Sequence, residues 1–148
     1  MKNTIIILLL FVYCKSTCQV AVGYFPFNNS FIQLSSNPER LILGDIRLQT
    51  NTFSYNATAE LAPFVNIKRS EVINLYIGPG ISINPFYNTS SMVNLYFLTL
   101  GARIKPLRTN RNFAVLFELS PLFTSEPRNN ILRSNLGISY NFKSKKAK

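Results

Sequence analysis

Histidine is absent from the 148-residue chain, and with it the side chain most often used as a general base or metal ligand near neutral pH. No Ser-His-Asp or Cys-His arrangement can be built. Cysteine occurs only as Cys14 and Cys18, both next to an apolar N-terminal stretch. The remainder of the chain therefore has neither disulfide nor thiolate chemistry at its disposal. Beyond that stretch no apolar run approaches the roughly 20 residues that a membrane-spanning helix needs, although hydrophobic residues make up 47% of the sequence. Helical spans are excluded for residues 19–148, and the length suits one domain.

What is present begins with Lys2, an unbroken apolar run over residues 5–13, and the small residues Ser16 and Cys18. This is the layout of a cleavable secretory signal, which predicts a signal peptide over residues 1–18 and export from the cytoplasm. Lipidation of Cys18 is the competing expectation, and Lys15 stands where a lipoprotein signal carries an aliphatic residue.

From residue 19 onward apolar and polar residues alternate at period two, the pattern of strands with two unlike faces. Residues 131–142 place Leu132, Leu136, Ile138, Tyr140 and Phe142 on one face and Arg133, Asn135, Ser139 and Asn141 on the other. A helix would scatter these around its circumference. Residues 20–25, 31–36, 41–50, 56–68, 72–83, 92–105 and 112–123 read the same way, so an all-β domain of about eight strands is expected over residues 19–142. Pro63, Pro79 and Pro121 fall inside these segments and are expected to mark bulges or strand ends.

The connections alternate in character. Residues 37–40, 68–71 and 106–111 are short and charged, whereas 50–55, 84–91 and 124–130 are mostly longer and rich in Asn, Ser and Thr. Tight turns at one end and longer loops at the other describe an antiparallel up-and-down barrel. A weak repeat, Ile67-Lys68 and Ile104-Lys105, reflects recurrence of the hairpin unit.

Charge separates the two faces. The polar face carries Asp45, Glu60 and Glu118 with Arg47, Arg103 and Arg133, a balanced set suited to a narrow interior where buried ions need partners. The overall charge of +10 resides mainly at the tight-turn end, in Arg40, Lys68, Arg69, Lys105, Arg108, Arg111 and the basic tail of residues 143–148, against Glu39 and Glu71. The apolar face carries no charge, as lipid requires. Phe53, Tyr55, Phe86, Tyr87 and Phe123 lie toward the loops and Phe113, Tyr140 and Phe142 toward the turns, in the manner of interfacial girdles.

The segment Leu136-Gly137-Ile138-Ser139-Tyr140-Asn141-Phe142 resembles the closing strand of outer-membrane β-barrel proteins. More broadly, Asn37-Pro38-Glu39-Arg40, Glu60-Leu61-Ala62-Pro63, Leu75-Tyr76-Ile77-Gly78-Pro79-Gly80 and Leu132-Arg133-Ser134-Asn135-Leu136-Gly137 resemble the small barrel proteins of Bacteroidota-type outer membranes. The resemblance implies a transmembrane barrel in the bacterial outer membrane, with Leu136, Ile138, Tyr140 and Phe142 read by the barrel-insertion machinery. It brings no catalytic residues, and Lys143 to Lys148 extend past the Phe that usually closes the chain.

These readings lead to a non-enzymatic integral outer-membrane protein, structural or accessory to an envelope complex, with lipid as its surroundings and with no cofactor, metal or nucleic acid. Gly78-Pro79-Gly80 precedes no helix and is no phosphate loop. The sequons at Asn28, Asn56 and Asn88 match only formally. Two alternatives belong to other classes: a soluble periplasmic or secreted barrel binding an apolar ligand, with the apolar face turned inward, and a lipid-modifying enzyme, for which no nucleophile-base pair is visible.

Overall fold

In the computed structural model, residues 19–27, 30–51, 57–84, 93–107, 109–123 and 131–142 are described. The expected signal peptide with Cys14 and Cys18, the basic tail, Arg108, and the loop aromatics Phe53, Tyr55, Phe86 and Tyr87 lie outside them.

Period-two alternation becomes eight strands: β1 (Val20–Phe25), β2 (Phe31–Ser35), β3 (Ile42–Gln49), β4 (Ala59–Arg69), β5 (Ile73–Ile83), β6 (Val93–Ile104), β7 (Phe113–Phe123) and β8 (Ile131–Phe142). Each pairs antiparallel with its sequence neighbour, and β1 pairs with β8 to close an up-and-down barrel. Closure removes every free sheet edge. Paired residues followed from Val22 through Leu34, Ile46, Leu61, Ile81 and Tyr96 climb to Phe123, the loop end of β7. Strands staggered in this way are tilted to the barrel axis, as closing the sheet demands.

The prolines depart from expectation, because β4, β5 and β7 run straight through them. The register shifts lie elsewhere, between Asn66 and Lys68 and between Ser82 and Ile83. Pro63 keeps its pairing with Gly44 on β3, and Pro79 keeps Leu98 on β6. The β4–β5 ladder is interrupted between Leu61↔Ile81 and Val65↔Ile77, where the same register sets Pro63 opposite Pro79. Proline costs a strand one N–H and leaves its extended backbone intact. Setting two such residues face to face confines both losses to one gap. Pro121 likewise keeps Leu132 on β8 and falls in an interruption of the β6–β7 ladder.

The wall is apolar outside and polar inside. Val22, Ile32, Ile46, Leu61, Leu100, Phe117 and Leu136 are among the exposed large side chains, whereas Gln33, Asp45, Arg47, Glu60, Thr99, Glu118 and Asn135 are buried. Aromatic rings share the interior with these polar groups: Phe64, Tyr76 and Phe97 in one cluster with Leu43 and Ala62, and Phe25 and Phe31 with Leu116 in another. Glycine makes room for several of the rings. A Cβ at Gly80 would collide with the Phe97 ring, one at Gly101 with Tyr76, and one at Gly137 with Phe25. In each case ring and glycine stand on adjacent strands, so the missing Cβ is what gives the ring its room.

Candidate functional site

The lumen brings most of the balanced charge set together. Arg47 projects inward from β3 and is 1% exposed. Its Nη2 donates to Asp45 Oδ2 at 2.8 Å and to Glu118 Oε1 at 2.8 Å, its Nη1 to Glu118 Oε2 at 2.7 Å, and its Nε to Asp45 at 3.0 Å. Asp45 also accepts hydrogen bonds from Gln33 and Ser35, both at 2.8 Å. Glu118 accepts one from the Tyr76 hydroxyl at 2.5 Å. The guanidinium lies 5.1 Å from the Phe25 ring centre and 5.6 Å from that of Phe64, within cation–π range.

A second pair lies toward the loops. Arg133 on β8 donates to both oxygens of Glu60 on β4, at 2.6 and 3.1 Å, with the rings of Phe97 and Phe31 at 5.4 and 5.5 Å. In a ring of eight strands β3 faces β7 and β4 faces β8, so the Arg47–Glu118 and Arg133–Glu60 bridges are struts across the lumen. Fork geometry on charged partners makes them strong hydrogen bonds. The Thr99 and Ser120 hydroxyls add a further bond at 2.8 Å.

Arg103, the sixth member of the charge set, is placed differently. It is 2% exposed and its guanidinium lies 5.7 Å from the Tyr76 ring centre, yet Nε and Nη1 have no hydrogen-bond partner in the protein. Formal balance on the polar face thus does not become one-to-one pairing, because Arg47 takes two carboxylates.

The tight-turn end is less open than the sequence suggests. Lys105, expected on a solvated rim, is buried and pairs with Glu39 at 2.7 Å. The Asn66 side-chain amide donates to the backbone carbonyls of Pro38 and Arg40, and the Asn74 side-chain Oδ1 accepts the Ser70 N–H. Arg111 and Glu71 form a more exposed pair at 2.8 Å. On β8, Leu136, Ile138, Tyr140 and Phe142 all face outward and are exposed, and the Tyr140 and Phe142 rings meet edge to face with centres 5.0 Å apart.

Sequence reasoning missed the aromatic half of the lumen and the place of Tyr76 in the charge network. The available signal was an aromatic residue at a polar-face position of five of the strands: Phe25 on β1, Phe31 on β2, Phe64 on β4, Tyr76 on β5 and Phe97 on β6. The described lumen is occupied by struts and rings, an arrangement suited to holding a wall in shape. Among the described residues no group of three or more His, Cys, Asp or Glu stands together as metal ligands. Comparison with protein-family models, curated proteins and solved structures finds no match.

Proposed function

We propose that the chain is an integral bacterial outer-membrane β-barrel protein without enzymatic activity, structural or accessory to an envelope complex. The observation that carries this reading is the inverted wall. The outward faces of all eight strands are apolar over most of their length, while the charged side chains of the strands are drawn inside or to the tight-turn end. A water-soluble monomer rarely exposes a contiguous apolar patch of more than a few hundred Å², whereas lipid favours such a surface and penalises charge on it. An apolar ligand inside a soluble barrel would need the opposite arrangement, with an apolar lining and a polar exterior.

The filled lumen argues against a general diffusion pore, since eight strands leave room for little beyond their own side chains. The outward row Leu136, Ile138, Tyr140 and Phe142 is the strand face that the insertion machinery reads. The reading is tested by membrane fractionation followed by electrophoresis of unboiled and boiled detergent extract. The expected result is a band in the outer-membrane fraction whose mobility changes on boiling. A soluble species indifferent to boiling would overturn it.

A further inference from the structure

At the tight-turn end the β3–β4 ladder stops at Ile42↔Val65, while β4 continues to Arg69, which pairs with Asn74 on β5. The turn that joins β2 to β3, residues 37–40, lies against this overhanging wall. Pro38 is buried, and its carbonyl accepts hydrogen bonds from the side-chain amides of Asn66 at 3.1 Å and Asn74 at 3.4 Å. The Arg40 carbonyl takes a second bond from the Asn66 amide, and the Leu41 carbonyl accepts the Asn66 backbone N–H at 2.8 Å. Both asparagines are buried. A turn pointing away from the barrel would offer these carbonyls to water instead.

Glu39 extends the contact across the mouth. Its carboxylate meets Lys105 Nζ at 2.7 Å and Asn74 Nδ2 at 3.5 Å, so one short turn touches β4, β5 and the residue that follows β6. Lys105 is buried and Glu39 is the carboxylate that partners it. A buried cation deprived of its partner is strongly unfavourable, and a charged pair outweighs the neutral amide bonds beside it.

We propose that residues 37–40 form a plug that closes the tight-turn end of the lumen, with the Glu39–Lys105 ion pair as its latch. Asn74 lies directly beneath the plug, with Arg103 as its register partner on β6. Tyr76, the next inward residue of β5, carries the hydroxyl that is bonded to Glu118. Keeping bulk water from this end preserves the low local dielectric in which the struts are strong. None of the plug residues belongs to a strand, so releasing the turn dismantles no ladder. The inference stands on the barrel interior and does not depend on the membrane reading.

The test is thiol accessibility in the full, folded chain in detergent, with Cys14 and Cys18 replaced by Ser and Asn74→Cys as the reporter. Asn74→Cys leaves the latch and both Asn66 side-chain bonds in place. Its reaction with a charged methanethiosulfonate should be roughly tenfold or more slower than that of Lys68→Cys on the exposed rim, and should accelerate roughly tenfold when Glu39→Gln is added. Glu71→Gln, which breaks the more exposed pair with Arg111 at the same end, should leave the rate unchanged. Circular dichroism of each variant separates release of the turn from unfolding of the barrel. Labelling of Asn74→Cys as fast as Lys68→Cys, a rate that Glu39→Gln leaves unaltered, or equal acceleration by Glu71→Gln would overturn the proposal. If Glu39→Gln does not fold, Lys105→Gln takes its place as the broken latch: faster labelling supports the plug and unchanged labelling overturns it.

Discussion

Arg47 is shared by carboxylates on β3 and β7, so replacing it abandons two buried charges together. Arg47→Met is expected to cost about 3–5 kcal/mol, read as a lower urea midpoint for loss of the heat-modifiable form. Arg103→Met, which leaves no ion-paired carboxylate behind among the described residues, should cost markedly less. The glycine seats make a second prediction. Gly80→Ala pushes a methyl group into the Phe97 ring and should destabilise by about 1–3 kcal/mol, with Phe97→Leu in the same chain restoring part of the loss. An equal effect of Gly80→Ala in both backgrounds would show that the ring is not the cause. The six charged residues were legible as one face because side-chain direction in a strand follows parity alone. Their partners were not, because a strut joins residues some seventy positions apart, Arg47 to Glu118 and Arg133 to Glu60, and local pattern carries no information about what lies across a lumen.

At the scale of the strand, the alternation located all eight elements, and the bounds of β1 and β8 coincide with those expected from sequence. The ends of the others moved by a few residues, with β4 starting at Ala59 rather than residue 56 and ending at Arg69. Prolines misled because the rule against them concerns ladder hydrogen bonds, and a residue lacking one donor can keep a partner on its other side. Strand exteriors supply the sharpest test of the surrounding medium. Leu100 on β6 faces outward and is 51% exposed. Leu100→Arg should cost about 2–4 kcal/mol in lipid vesicles, whereas an exposed site in water tolerates such a change within about 0.5 kcal/mol. Unfolding titrations in vesicles distinguish the two.

For the whole molecule, the basic excess gathers at one end of the barrel, in residues such as Arg40, Lys68, Arg69 and Arg111 that are exposed there. A polybasic rim of this kind favours an anionic headgroup surface without a specific partner. Neutralising Lys143, Lys145, Lys146 and Lys148, which lie outside the described residues, is therefore expected to leave the heat-modifiable form intact; its loss would assign the tail a part in folding. Planar bilayers containing the purified protein should show no large steady conductance, because two struts cross the lumen. The opposed prolines carry a further consequence, for how the wall assembles. In the native alignment Pro63 and Pro79 share one silent rung of the β4–β5 ladder. Sliding either strand by two residues would preserve the inside-outside parity that hydrophobic patterning protects, and so would go undetected by burial. It would, however, part the prolines and set each against a residue with its own hydrogen-bonding groups, creating two defective rungs in place of one. Two residues that contribute no donors thus act as a proofreading mark, penalising the one kind of misalignment that an alternating sequence cannot recognise.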